Sequence, residues 1–282
     1  MKNRIIEIAK AEKISDIGFC SMSDYYKEAE TLKNLAVFKK NEREKEILKN
    51  ARTAIVCAFN YYADERKGNI SRYVQGEDYH LTVLRKLKPI AKELQKNGFS
   101  AESFADTGFL NERLLAAKSG IAFIGRNHMA ISEKFGSYIF LGYVLTDCVI
   151  EADKENKKSC QNCGKCEKAC PLGALNDGFC EAKCLSYITQ KKGELTEEEE
   201  RAIVRANTVW GCDICQEACP HNKNVPETEI TEFKENRIIE LKIDENISNK
   251  EFEKRYKNRA FAWRGKAVLI RNQKIIKKYK KN

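Results

Sequence analysis

Two cysteine runs constrain this chain more than any other feature. Nine of its 12 cysteines fall between residues 160 and 219 of 282. The first run, Cys160, Cys163, Cys166 and Cys170 followed by Pro171, is spaced C-x2-C-x2-C-x3-C-P. That spacing is specific to iron–sulfur cubes. Three thiolates on a tight loop cap one 4Fe–4S cluster, and the fourth turns away to a second cluster. The second run, Cys212, Cys215 and Cys219 followed by Pro220, repeats the x2 and x3 intervals and lacks one thiol. Cys184 upstream can supply it, with Cys180 the weaker candidate. The swap then predicts Cys160, Cys163, Cys166 and Cys219 around cluster one, and Cys184, Cys212, Cys215 and Cys170 around cluster two. A pair of structural zinc sites, the competing reading, would use two C-x2-C pairs per metal. Cys20, Cys57 and Cys148 lie in apolar stretches and read as small buried hydrophobes.

Two clusters make an electron wire, and a bare wire needs far fewer residues than this chain has. The mass before and after the runs should hold whatever receives the electrons. The composition is globular, with 42% hydrophobic residues. The N-terminus MKNRIIEIAKAEK has no signal-peptide character, and no apolar run reaches the roughly 18 residues of a membrane span. The reading is a cytoplasmic, monomeric protein without a membrane partner, in a reducing compartment where clustered thiols bind metal.

The charge is uneven. The net is +10, and from Lys250 to Asn282 there are 13 basic against 2 acidic residues, a net of +11. Such a run is either a solubilising tail or a polyanion contact. Tyr256, Phe261, Trp263, Ile270 and Tyr279 interleave with it, which suits stacking beside phosphate, although Phe261 and Trp263 serve equally as core anchors.

Before the runs, residues 2–13 read as an amphipathic helix, 15–20 as a strand and 24–50 as a long charged helical stretch. Thr53–Phe59 is a continuous apolar run, expected as a buried strand. A polar loop follows to Asp78. Helical spacing from Tyr79 to Asn97 is interrupted at Pro89, and a short strand covers 99–104. A helix over 110–118 ends near Gly120. Short strands flank Gly125-Arg126-Asn127, and 136–146 reads as a long strand paired through a turn near Lys134. The fold class is α+β with a mixed sheet. Asp106 sits between a strand and a helix, where it serves as an N-cap or as a functional acid. His80 and His128 read more readily as structural residues than as functional ones. No G-x-G-x-x-G or Walker run is present.

Several of these segments carry a family resemblance: Ile70-Ser71-Arg72-Tyr73, Asp78-Tyr79-His80, Asp106-Thr107-Gly108, Ser119 through Asn127, Phe135 through Tyr138, Leu145-Thr146-Asp147, Cys184 through Tyr187, and Trp210 through Asp213. In this order they resemble epoxyqueuosine reductase, the cobalamin-dependent enzyme of queuosine-tRNA biosynthesis, over nearly the whole chain. The resemblance implies a fold similar to reductive dehalogenases and a three-part organisation. Residues 1–152 would bind cobalamin, 153–226 would form a ferredoxin-like two-cluster domain, and 227–282 a basic segment. It implies Asp106 as proton donor, kept protonated by burial, and cobalamin contacts at Tyr73, Asp106, Asn127, Met129 and Ser137. The implied partners are a tRNA carrying epoxyqueuosine and a low-potential donor such as ferredoxin or flavodoxin. The match stops short of the helical repeats that longer members carry. It has Arg126 where Lys is frequent and Gln190 where an acid is common. A cobalamin and iron–sulfur reductase of a small organic molecule, and a plain electron carrier, are the competing functions.

Overall fold

The computed structural model describes residues 1–31, 42–156 and 158–280. The N-terminal half is a four-stranded sheet covered on both faces. Its first elements are α1 (Lys2–Ala11), β1 (Asp16–Ser21), α2 (Met22–Thr31), α3 (Glu42–Asn50) and β2 (Thr53–Asn60). Residues 32–41, the middle of the expected 24–50 helix, lie outside the described residues. Next come α4 (Tyr79–Lys96), β3 (Ala101–Phe104), α5 (Glu112–Lys118), β4 (Phe123–Ile124), β5 (Ala130–Ile131) and β6 (Ile139–Thr146).

The sheet order is β1-β2-β6-β3. Every ladder is antiparallel, where a mixed sheet was expected. Long helical excursions can return the chain in either direction, so alternation of helix and strand does not set strand direction. β6 pairs with β2 along its whole length and with β3 over residues 143–146. The expected hairpin near Lys134 is reduced to one bridge, Ser132 to Gly136.

β2 is buried at all eight positions, and its period-two alternation feeds two cores. Ile55, Cys57 and Phe59 face α1 and α4, among Ile5, Val83, Leu87 and Leu94. Ala54, Val56 and Ala58 face α2 and α5, among Tyr25, Leu114 and Leu115. Val83, Leu87, Ile90 and Leu94 are all 0% exposed, and each such side chain contributes roughly 1.5–3 kcal/mol by leaving water. That stripe carries α4 unbroken through Pro89, which sits inside the helix and does not end it. Gly142 permits the close approach, because a side chain there would collide with Val83.

The C-terminal half begins with α6 (Lys165–Ala169), α7 (Leu185–Gln190), α8 (Glu197–Ala206) and α9 (Ile214–Glu217). It continues with α10 (Thr231–Lys234), α11 (Asn249–Tyr256) and α12 (Lys266–Lys280). A third core joins α7, α8, α11 and α12 around fully buried Trp210, with Ile70 and Val74 reaching in from the N-terminal half. Tyr256 and Phe261 are core residues, whereas Trp263 is 64% exposed. Only Trp263 of these three can offer its face to a partner. Lys281 and Asn282 lie outside the described residues.

Candidate active site

Each cysteine run straddles a short helix. Cys160 and Cys163 precede α6, Cys166 lies in it and Cys170 ends it. Gly164 turns the chain into α6 at φ +69°, a left-handed conformation that glycine adopts without strain. Cys212 precedes α9, Cys215 lies in it, and Cys219 follows with Pro220 behind it. The runs exchange their last thiols in space. Cys160, Cys163, Cys166 and Cys219 line one small space. Cys170, Cys184, Cys212 and Cys215 line a wall of a much larger cleft. Cys180 is exposed and lines neither space. Among the described residues no three His, Cys, Asp or Glu side chains converge tightly enough for a single ion. The thiols instead line two separate spaces, four to each.

The donor chemistry fits a cationic guest. Burial pushes the Cys212 and Cys215 thiols up to about 12, so their thiolate forms need a positive partner that displaces the proton. At the first space, His221 Nε2 is buried without a partner, an unspent polar atom beside Cys219. Arg126, at the β4–β5 turn, pairs with Glu167 of α6 and lines the same space.

The large cleft opens between the sheet's end and the second cysteine group. Leu110, Met129, Ala130, Ile139, Phe140 and Leu141 give it an apolar wall, the lining expected for a broad organic cofactor. Asn127 lines both spaces, and its Nδ2 is buried without a partner. Tyr73 and Met129 also line the cleft. The Tyr73 hydroxyl accepts a hydrogen bond from Trp210 Nε1 at 3.0 Å. The structure does not bring Ser137 there. It is 1% exposed, and its hydroxyl accepts hydrogen bonds from Asn222 and Gln216. Gln216 lines the cleft in its place.

Asp106 stands at the cleft with 57% of its side chain exposed. It is not the cap of α5. Asn111 is, its side chain accepting the Leu114 N–H. Asp106 Oδ2 accepts hydrogen bonds from Tyr79 at 2.7 Å and from His80 Nε2 at 3.1 Å. Behind it, Asp78 Oδ1 lies 2.7 Å from His80 Nδ1 and caps α4 at the His80 N–H. Tyr79 is held flat against Phe140 at 4.4 Å. The hydrogen bond from His80 is the main force holding the Asp106 carboxyl below its ordinary range, against the opposing effect of burial. Asp106 is therefore an anion at rest, not the burial-protonated acid expected from sequence. Burial disfavours the His80 cation, but hydrogen bonds to Asp106 and Asp78 outweigh it and raise its pKa to about 9. The proton sits on His80, one hydrogen bond behind the carboxylate. Tyr79 and His80 both reach Asp106 at the cleft, although the sequence alone reads His80 more readily as structural. The available signal was the Asp-x-His spacing at a helix start, since an N-cap carboxylate can hold the ring two residues on.

Residues 42–107 match the family model described as Epoxyqueuosine reductase QueG, DUF1730, and residues 159–222 match the 4Fe-4S double cluster binding domain. The epoxyqueuosine reductase of Lactococcus garvieae is 35% identical over 96% of this chain and 85% of its own length. The chain belongs to the epoxyqueuosine reductase family. The Streptococcus thermophilus epoxyqueuosine reductase structure superposes with a TM-score of 0.81 at 32% identity, covering 98% of this chain and 80% of that one. An epoxyqueuosine reductase crystallised with an epoxyqueuosine-modified tRNA-Tyr stem loop gives 0.81 at 29% identity, with the same coverage. A catabolic reductive dehalogenase shares the fold more distantly, with a TM-score of 0.56 at 14% identity over 80% of this chain and 32% of its own. Among the described residues no helix is long and apolar enough to cross a membrane.

Proposed function

We propose that this chain reduces the epoxide of epoxyqueuosine in a tRNA to the alkene of queuosine. Two electrons and two protons enter, both carbon–oxygen bonds break, and the oxygen leaves as water. The observation that carries this reading is the Asp106–His80 pair at the mouth of an apolar cleft whose far wall holds four thiols. Cys160, Cys163, Cys166 and Cys219 hold one 4Fe–4S cluster, and Cys170, Cys184, Cys212 and Cys215 hold the other. Tyr73, Asn127 and Met129 line the place for cobalamin. Bound there, cobalamin would supply the strong reductant that opening an epoxide needs.

The chain's own residues manage the protons. Asp78 fixes the His80 ring and its tautomer. His80 holds a proton against Asp106, and Asp106 relays it to the oxygen as negative charge develops there. An acid placed on that oxygen lowers the barrier for ring opening. Tyr79 adds a second hydrogen bond that fixes Asp106 in the cleft. The apolar wall excludes the water that would otherwise compete for the low-potential electrons. The division at residues 152 and 226 into cobalamin, cluster and basic parts belongs to the same reading. So do a ferredoxin- or flavodoxin-type donor, a monomeric state and the C-terminal basic stretch as a tRNA contact.

The test is single-turnover conversion of an epoxyqueuosine-bearing stem loop. It uses protein reconstituted anaerobically with iron, sulfide and cobalamin, and a strong reductant. Queuosine should form in step with enzyme. Protein carrying both clusters and cobalamin that leaves the epoxide intact would overturn the assignment.

A further inference from the structure

Asp106 is held in an unusual backbone shape. Its φ is +57°, a left-handed conformation that a residue with a side chain keeps only where its surroundings impose it. The next residue folds straight back, Thr107 N–H donating to the Ala105 carbonyl at 2.6 Å. Gly108 then packs against the Tyr143 hydroxyl so closely that a side chain would collide with it. Such a turn is left without strand or helix partners, so its N–H groups need acceptors from elsewhere. Asp106 N–H finds one in Glu112, whose Oε1 accepts it at 2.7 Å.

Glu112 is well placed for this. It opens α5 one residue after the Asn111 cap, and the Asn111 N–H is itself tied to the Tyr25 hydroxyl at 2.9 Å. The carboxyl is therefore anchored to a helix on the sheet. The turn it grips is packed at buried Ala105 and at Gly108 against Tyr143, and Glu112 holds the N–H of the residue between them. Glu112 also lines the cleft beside Asp106. We propose that Glu112 is a positioning residue: it clamps the 105–108 turn through the Asp106 N–H and so presents the Asp106 carboxylate to the cleft, Tyr79 and His80.

The charge state suits the role. Burial pushes the Glu112 carboxyl up to about 8, and the neighbouring Asp106 charge adds to that, while the Asp106 N–H, His80 and Arg113 oppose it. From β6 the Tyr143 hydroxyl faces it as well, itself raised in part by the Glu112 charge. At neutral pH a neutral acid accepts the N–H without setting a second anion beside Asp106. Glutamine offers the same neutral acceptor, which alanine lacks.

The inference rests on the functional reading above only for its kinetic arm. Its structural arm is hydrogen exchange of the Asp106 amide, followed by mass spectrometry on the 103–110 peptide. Glu112→Ala should exchange this amide at least tenfold faster than the parent chain. Its single-turnover rate should fall at least tenfold, with iron content and stem-loop affinity kept. Glu112→Gln should restore both to within a few-fold of the parent. Parental amide protection in Glu112→Ala would overturn the clamp whether or not the parent turns over epoxyqueuosine. A Glu112→Gln variant as slow as Glu112→Ala but with protection restored would also overturn it, because the acid's proton and not its acceptor oxygen would then be what matters. A parent chain that fails to react while Glu112→Ala loses protection would count against the proposed reaction and leave the clamp standing.

Discussion

A carboxylate gripped by a tyrosine and a histidine works differently from one buried alone. In Asp106 and His80 the proton is stored on the imidazole, and the two groups titrate in opposite directions. His80 is raised from 6.5 to about 9. Its contribution to stability is thus complete below 6.5 and is lost as pH rises through about 9. Asp106 is lowered from 3.8, so its contribution is present above that value and is lost as pH falls through its folded pKa. The pair is intact across neutral pH. Single-turnover rates should accordingly fall as pH climbs through about 9, and His80→Gln should lose that alkaline limb along with most of its rate. Because the Glu112 carboxyl beside Asp106 is itself raised to about 8, the comparison is made in a Glu112→Gln background, where an alkaline limb left unchanged by His80→Gln would sink the storage role. Asp106→Asn tests the relay. Since Asn111 caps α5, the substitution removes no cap and should leave folding, iron and cobalamin intact while turnover drops by about 10²–10⁴. Near-parental turnover in fully loaded Asp106→Asn would remove it from the chemistry.

At the scale of elements, the short helices α6 and α9 set which thiols meet. Each run places its last cysteine beyond the helix end, where it faces the other run. Cys184→Ser should cost the second cluster's share of iron, and Cys180→Ser none, as read by iron analysis and paramagnetic resonance of the reduced protein. Equal iron loss in both variants would mean that the fourth ligand had been misassigned. These runs were legible because ligand spacing is local. So were β2, with six apolar residues in a row from Ala54 to Phe59, and α1, with Ile5 and Ala9 one turn apart. What was hidden is non-local. The partners of β6 lie about 40 and 90 residues back along the chain, and a strand's sequence does not name its neighbours. Asp106 reads as a cap or as an acid from sequence alone because the 105–108 turn has no sequence mark apart from Gly108. His80 looked structural because its partner lies 26 residues away. Ser137 looked like a contact because nothing in the sequence reveals that Gln216 and Asn222 consume its hydroxyl.

For the whole molecule, the question is how a net charge of +10 meets a polyanion. The last 33 residues carry +11, yet folding spends part of it. Lys274 and Lys277 pair with Glu245 at 3.2 and 3.1 Å, and Lys278 lies 3.8 Å from Glu200. All of these lysines are well exposed, and exposed pairs of this kind are worth at most about 1 kcal/mol, so phosphate can displace the carboxylates. Earlier in the same stretch Trp263 is exposed, with the Arg264 guanidinium stacked on its ring at 3.8 Å, a platform suited to a base. The two features predict separable effects. Charge acts through counterion release, with roughly 0.7–0.9 in log–log salt slope for each phosphate contacted. Replacing Lys277, Lys278, Lys280 and Lys281 with Gln should flatten the slope of tRNA binding. The loss should be smaller than four full contacts, because two of these lysines must first leave Glu245 and Glu200. Stacking releases few counterions, so Trp263→Ala should weaken binding by about 1–3 kcal/mol at every salt concentration and leave the slope unchanged. Binding isotherms of epoxyqueuosine tRNA at several salt concentrations distinguish the cases. An unchanged slope in the lysine variant would make the tail a solubilising one. Unchanged affinity in Trp263→Ala would leave the exposed indole without a part in tRNA binding.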